Sequence, residues 1–169
     1  MKTSSNYEDQ FLYRHGRFGE RQNSCRQISC RTCGMGFYDA DDFHPPENVG
    51  KMARGIPLTD SDRAPWLDSL HDLISSSLKK NRPGVLACSV LKERYRQQLL
   101  EGNDNVKIIY LKGSYELIWS RMIARKEHFM KPHMLQSQFE ALEEPANALT
   151  IDISVSVADI VREVLNRMD

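Results

Sequence analysis

Short apolar runs alternate with helical patterns along most of this chain, and this alternation limits the folds available to it. The runs "GVLACSVL" (residues 84–91) and "VKIIYLKG" (106–113) have the length and apolar content of strands buried on both faces. Segments 92–102 and 114–128 carry apolar residues at helical spacing. Buried strands that alternate with helices predict an α/β fold, with a parallel sheet covered by helices on both sides.

The same rhythm covers the chain from Gly34 to its last residue, and we expect one domain over residues 34–169 of the 169. "GFYDADD" predicts a short strand that ends in acids, and "PPENVGKMARG" predicts a short helix that ends before Gly55. Asp60 or Ser61 is expected to cap a longer helix. "HMLQSQFEALEEP" predicts another helix, "LTIDISV" a strand, and residues 157–168 a final helix.

Residues 1–33 break this pattern. They contain five arginines and few aliphatic residues, and they show neither strand nor helix periodicity. Only "QFLYRHG" (residues 10–16) has any strand character. This composition predicts an irregular basic arm.

Overall composition excludes several classes of partner. Lys and Arg number 23 and Asp and Glu also number 23, so no net charge attracts nucleic acid or an anionic membrane. No apolar run approaches the ~18 residues that span a bilayer, and the N-terminus lacks the apolar stretch of a secretory signal. We therefore expect a cytoplasmic protein with no nucleic-acid or membrane partner.

Three cysteines in the N-terminal arm raise the question of a metal site. Cys25, Cys30 and Cys33 have the spacing C-x4-C-x2-C, which matches the first three ligands of one type of iron–sulfur site. The fourth cysteine, Cys88, falls within an apolar strand pattern, where a small buried thiol is the ordinary interpretation. We therefore expect no metal site.

Polar residues follow two of the predicted strands. Asp39 and Asp41 follow the strand that begins at Gly36, while Ser89 and Lys92 come at the end of "GVLACSVL". In parallel sheets the carboxyl ends of strands border the crevice that binds ligands. Ordinary polar turns would explain the same residues, because aspartate and serine are common turn formers.

A pair of arginines, Arg121 and Arg125, lies four residues apart on a predicted helix. Their guanidinium groups would share one helix face and could converge on phosphate oxygens. A solvated basic face is the alternative interpretation of this pair.

Four segments stand out over residues 34–169: "FYDADDFHPPENVGKMARGIPLTDSDRAPWL", "LACSVLKERYR", "IIYLKGSYELIWSRMIARKEHFM" and "QSQFEALEEP". In their order and spacing, they resemble the gluconokinases of the P-loop kinase superfamily. The resemblance implies transfer of a phosphoryl group from ATP to the 6-hydroxyl of gluconate, with Mg²⁺, in a P-loop kinase fold. It also suggests a homodimer.

The resemblance assigns roles residue by residue. It places Asp39 near the accepting hydroxyl, as a base or an orienting group. Arg121 and Arg125 become lid arginines that contact ATP and neutralise charge on the transferred group. The residues implied to contact the sugar acid are Asp41, His44, Lys51, Arg63, Ser89 and Lys92.

One departure from the family is severe. P-loop kinases begin with a strand and G-x-x-x-x-G-K-[ST], whose amides and lysine hold the phosphates. No such motif occurs in this sequence, and its expected place, from Gly16 to Asn23, reads "GRFGERQN". We therefore expect weak or absent activity. Because arginines follow the short strand pattern "QFLYRHG" and a buried arginine without a partner is costly, we also expect a sheet whose central first strand is vacant or poorly filled.

The genetic code supplies an explanation for the missing loop. When the possible codons of residues 14–24 are read one nucleotide later, they permit "VMGVSGSGKT", which contains a complete phosphate-binding loop. Residues 30–32 likewise permit Ala-Glu-Leu, which suits a following helix. The cysteine cluster is then a by-product of out-of-frame translation. Two alternatives are a non-catalytic isoform that keeps the substrate-binding face without binding ATP, and a metal-binding module fused to a kinase relic.

Overall fold

The computed structural model of this protein describes residues 11–14, 35–124 and 132–167, and for 11–14 and 132–134 it describes the backbone alone. The described strands form one five-stranded sheet in the order β2-β3-β1-β4-β5, in which every neighbouring pair is parallel. The strands are β1 (Phe11–Arg14), β2 (Gly36–Asp39), β3 (Gly84–Ala87), β4 (Val106–Lys112) and β5 (Leu149–Asp152).

Among the described residues, helices follow β2, β3, β4 and β5, as the apolar periodicity predicts. A 3-10 helix (Ala40–Phe43) follows β2 directly. The α-helices are α1 (Pro46–Ala53), α2 (Asp60–Lys79), α3 (Glu93–Leu100), α4 (Tyr115–Ile123), α5 (Pro132–Ala141) and α6 (Val157–Asn166).

The start of α2 differs by one residue from the predicted cap at Asp60 or Ser61. Thr59 is the N-cap, and its hydroxyl accepts a hydrogen bond from the Asp62 amide at 3.2 Å. The Asp62 carboxylate accepts one from the Thr59 amide at 2.9 Å in return. This reciprocal capping box satisfies two amides at once, which a cap at either predicted position would not do.

The prediction of a vacant central position is wrong. The backbone of β1 lies in the middle of the sheet, in parallel register with residues 84–87 of β3 and residues 106–109 of β4. Strand pairing uses main-chain groups, and without β1 the facing edges of β3 and β4 would lack partners for their amides and carbonyls. The arginine-rich sequence therefore does not prevent a short strand here. The rest of the predicted irregular arm, residues 1–10 and 15–33, lies outside the described residues.

Two apolar clusters cover the two faces of the sheet and confirm the predicted α/β fold. Neighbouring strand residues such as Val85 and Leu86 pack against different clusters, as alternation along a strand requires. One cluster is built from α2, β3 and α3, with Trp66, Leu67, Leu70, Ile74, Leu86 and Leu99. The other joins β4, α4, β5 and α6, with Ile109, Ile118, Met122, Ile151 and Ile160.

Candidate active site

The carboxyl ends of the strands lie along one edge of the sheet, because all the pairings are parallel. Asp39 at the end of β2 is level with Ala87 of β3, and Ala87 is level with Arg14, where β1 ends. On the other side of β1, Lys112 of β4 is level with Asp152 of β5. The connections that leave this edge therefore carry the predicted site residues.

Asp39 and Asp41 lie at the turn from β2 into the 3-10 helix. Asp39 is the N-cap of that helix, and its Oδ1 accepts a hydrogen bond from the Asp41 amide at 3.1 Å. The chain turns here, so one extended strand does not carry both carboxylates. Burial is the largest cause that raises the pKa of the Cys88 thiol well above its ordinary value, and the negative charges of Asp41 and Asp39 raise it further. Cys88 is thus an inert buried thiol.

His44 follows the 3-10 helix and stacks on Trp66 of α2. The ring centroids are 4.5 Å apart and the rings are nearly parallel, at 10°. The buried Trp66 indole donates from Nε1 to the carbonyl of Ala40 at 2.7 Å. This hydrogen bond fixes α2 against the turn that carries the aspartates. The stacking on Trp66 holds the imidazole beside α2 and this turn.

Lys51 and Arg63 each donate a hydrogen bond to a different group near the first turn of α2. The Lys51 Nζ donates to the Asp62 Oδ1 at 2.6 Å, and this bond, followed by those from Thr59, lowers the pKa of Asp62 to about 2. The buried Asn48 amide donates to the Asp62 carbonyl at 2.7 Å. Arg63 donates from Nη1 to a backbone carbonyl in the loop before the helix.

Lys92 reaches the same helix turn from the connection between β3 and α3, which also carries the half-buried Ser89. The Lys92 Nζ is 3.7 Å from the Asp60 Oδ1 and 5.7 Å from the centroid of the Tyr95 ring. Asp60 also accepts hydrogen bonds from the Tyr95 hydroxyl and the Arg94 guanidinium. The Tyr95 bond is the largest cause that lowers the pKa of Asp60 to about 2. Two lysines from separate segments therefore meet carboxylates two residues apart on α2.

Arg121 lies on the other side of β1 from these groups. Its Nη2 donates to the Ile153 carbonyl at 2.8 Å, just beyond the end of β5. The pKa of the nearby Asp152 is lowered mainly by hydrogen bonds from Ser154, and the Arg121 charge contributes to the same shift. The structure thus separates Arg121 from Asp39 by the width of the sheet, with the end of β1 between them. Arg125 and the cysteines of the N-terminal arm lie outside the described residues.

Sequence reasoning missed the two carboxylates that hold the lysines. Asp60 was considered only as a helix cap, and Asp62 was not considered. The signal that could have found Asp62 is the pattern [ST]-x-x-[DE], read here as Thr59 to Asp62, which predicts a capping box. Neither ion pair follows from that pattern, because both join segments that are distant in sequence.

The pKa of Asp62 predicts how stability changes with pH. Its value in the folded protein, about 2, lies below the ordinary 3.8, so the pair with Lys51 stabilises the fold above about pH 4. This contribution is lost as the pH falls through 4 toward 2. We expect the melting temperature of the wild type to exceed that of Asp62→Asn at pH 6, and the gap to narrow steadily between pH 4 and pH 2. A gap that stayed constant over that range in thermal unfolding would contradict the assignment.

Comparison with solved structures defines the class of protein. The APS kinase of Mycobacterium tuberculosis is 13% identical and shares the fold, with a TM-score of 0.60 over 94% of this chain and 96% of that one. A gluconokinase of Sinorhizobium meliloti 1021 is 35% identical, with a TM-score of 0.81 over 95% of this chain and 91% of that one. This α/β domain, with its polar edge beside the central strand, therefore has the fold of the P-loop kinases.

Curated relatives then define the family. A probable gluconokinase of Mus musculus is 38% identical over 89% of this chain and 92% of its own length. The thermoresistant gluconokinase of Escherichia coli (strain K12) is 36% identical over 96% of this chain and 95% of its own length. The chain belongs to the gluconokinase family, as the sequence motifs predict. No protein-family model matches it. Within the described residues, no helix has both the length and the apolar character needed to cross a membrane.

Proposed function

We propose that this protein is a kinase that transfers the γ-phosphoryl group of ATP to the 6-hydroxyl of gluconate. The similarity to gluconokinases over nearly the whole chain carries this proposal. In the reaction, the acceptor oxygen forms a bond to the γ-phosphorus while the bond from that phosphorus to ADP breaks. The hydroxyl proton leaves to a base, and ADP and a phosphorylated sugar acid are released.

The residues on the β2 and β3 side of the sheet edge would bind the sugar acid. Gluconate has one carboxylate and a chain of hydroxyl groups, so its site needs cations as well as hydrogen-bonding groups. The candidates are the six residues Asp41, His44, Lys51, Arg63, Ser89 and Lys92. Asp39 would orient the accepting hydroxyl or take its proton, because it stands at the carboxyl end of β2, nearest to the edge.

The nucleotide would lie on the other side, where Arg121 contacts the end of β5 and where Arg125 follows along the chain. Guanidinium groups stabilise the charge that develops on a transferred phosphoryl group. Mg²⁺ fits as a partner of ATP, because it needs only one or two carboxylates besides phosphate oxygens, and the Asp41 carboxylate lies at this edge. When bound, it would neutralise charge between the β- and γ-phosphates. The described residues contain no cluster of three or more metal-ligating side chains, so phosphates and water would complete its ligands.

The missing phosphate loop should lower the rate of phosphoryl transfer more than the affinity for gluconate. Every candidate for the sugar acid lies between residues 39 and 92, outside the segment where the loop is expected. Binding of gluconate without phosphoryl transfer is the second function that the sequence allows, but the relatives favour catalysis. The resemblance also supports a homodimer in the cytoplasm, and we propose both.

Gluconate binding tests the acceptor assignment directly. Trp66 stacks on His44 and is one of the two tryptophans in the chain, so Trp119→Phe leaves it as the only fluorophore of its kind. We expect gluconate to change the Trp66 emission in a saturable way. Glucose, which lacks the carboxylate, should bind at least about tenfold more weakly, as expected for the loss of one charge-assisted contact. Equal affinity for the two sugars, or no binding of gluconate, would contradict the proposal.

A further inference from the structure

Glu143 contacts the connection between β3 and α3 and the first residues of α3 with its amide, its carbonyl and its carboxylate. It lies just beyond the end of α5, and its amide donates to the Leu91 carbonyl at 2.9 Å. Its carbonyl accepts from Arg96 Nη2 at 2.7 Å. Its carboxylate accepts from the Glu93 amide at 2.6 Å. Amide, carbonyl and side chain of one residue thus hold a segment that is some fifty positions away in sequence.

The segment that Glu143 contacts is itself held in shape by a buried arginine. Arg96 is only 2% exposed, and its Nη1 donates to the carbonyls of Val90 and Leu91 at 3.3 and 3.1 Å. Its Nε and Nη2 both donate to the Glu93 Oε2, at 2.8 and 2.5 Å. A buried guanidinium has to keep such partners, because leaving its charge unpaired is strongly unfavourable. The backbone of residues 90–93 is therefore fixed around it.

Helix α3 supplies the reason for a carboxylate at position 143. Its N-cap, Lys92, makes no side-chain hydrogen bond to the helix, so the first amides lack the usual local acceptor. The Glu143 carboxylate takes that role from outside, and a negative charge is favourable at a helix N-terminus. The N-terminus of α3 is consequently capped by the residue that lies just beyond the end of α5.

The connection from residue 88 to residue 92, here called the acceptor loop, carries Ser89 and Lys92. Glu143 comes just after helix α5, and α5 follows the segment of sequence that contains Arg125. We propose that Glu143 is a positioning residue, which holds the acceptor loop in its binding conformation against the end of α5. The proposal rests on the function proposed above for Lys92. It makes the placement of the sugar acid depend on a residue that does not touch it.

Glu144 offers a matched control. It is the same residue type at the next position and is equally exposed, but its carboxylate contacts β4. Its Oε1 accepts from the Tyr110 hydroxyl at 3.3 Å, and its Oε2 accepts from the Lys112 Nζ at 2.8 Å. Glu144→Gln therefore removes the same charge from the same segment without touching the acceptor loop.

The test is a gluconate titration of the full chain for Glu143→Gln and Glu144→Gln. Binding is monitored through the Trp66 emission, with Trp119→Phe present in both variants and in the reference chain. We expect Glu143→Gln to weaken binding about three- to tenfold, which is the size expected for one ordinary hydrogen bond. Glu144→Gln should change the dissociation constant by less than about twofold, within the range of a solvent-exposed ion pair. Equal losses in the two variants, or no loss in Glu143→Gln, would overturn the proposal.

A double-mutant cycle with Lys92→Ala separates positioning from a general loss of stability. If Glu143 acts by positioning Lys92, Glu143→Gln has less than about a twofold further effect once the Lys92 side chain is gone. An undiminished effect in that background would overturn the proposal.

Hydrogen exchange keeps the inference testable if the wild type fails to bind gluconate, which would reject the proposed function. Glu143→Gln should then speed amide exchange at residues 89–93, while Glu144→Gln should leave it unchanged. Unchanged exchange in Glu143→Gln would reject the positioning role itself.

Discussion

The chain with its present sequence is expected to phosphorylate gluconate at least about 10³-fold more slowly than the same chain carrying "VMGVSGSGKT" at residues 14–23. The replacement supplies the amide groups and the lysine that hold the phosphates, and loss of even one such donor in an active site lowers rates by about 10²–10³. The measurement is ADP release in the presence of gluconate, ATP and Mg²⁺. It compares both chains at equal concentration.

The position of β1 makes this replacement structurally reasonable. The strand ends at Arg14, at the carboxyl edge of the sheet, between the candidate acceptor residues and Arg121. A loop inserted there would leave the sheet where the two halves of the site face each other. The matched control is the same replacement with alanine in place of its lysine, which should stay close to the unmodified chain. Rapid turnover by the unmodified chain would show that phosphate binding does not need the missing motif.

In the chain with the restored loop, Asp39→Asn should lower kcat by about 10²–10⁴-fold, the range typical of a lost general base. Its KM for ATP should change by less than about threefold, because the carboxylate acts at the accepting hydroxyl and not on the nucleotide. Asn keeps a side-chain oxygen that can still accept from the Asp41 amide, so the turn into the 3-10 helix should persist. Steady-state kinetics with each substrate varied in turn provide the measurement.

Asp42→Asn is the control for this substitution. Asp42 lies in the same 3-10 helix, is exposed to solvent and has no role in the proposed site. Asp42→Asn should change kcat by less than about twofold relative to the chain with the restored loop, as for most substitutions at exposed positions. Similar rates for Asp39→Asn and the wild type would remove Asp39 from the reaction. Equal losses in the two variants would indicate damage to the turn in place of lost chemistry.

The secondary structure was largely predictable because its signals are local. Gly55 and Gly102 follow the ends of α1 and α3 with φ angles of 72° and 69°, in the left-handed region that favours glycine after a helix. The apolar runs that became β3 and β4 were recognised for the same local reason. The predicted strand "GVLACSVL" nevertheless ends at Ala87, and Cys88 and Val90 are buried in the loop that follows.

The vacancy predicted at β1 is wrong because strand pairing depends on the main chain more than on the side chains. The arginines after Phe11 argued against a buried strand, but four residues of backbone are enough to pair with β3 on one side and with β4 on the other. Whether a short segment completes a sheet depends on the edges that its neighbours present. A single segment does not contain that information.

The sequence by itself determined the class of fold, the family and the absence of a phosphate-loop motif, because each is written in residues close to one another along the chain. Only the tertiary structure decided the order of the strands and the place of β1. It also decided that Lys92 forms an ion pair with Asp60, that Lys51 forms one with Asp62, and that Glu143 caps α3. These contacts join segments up to 50 positions apart. Local periodicity does not specify such contacts, since they form only when packing of the helices on the sheet brings the distant segments together.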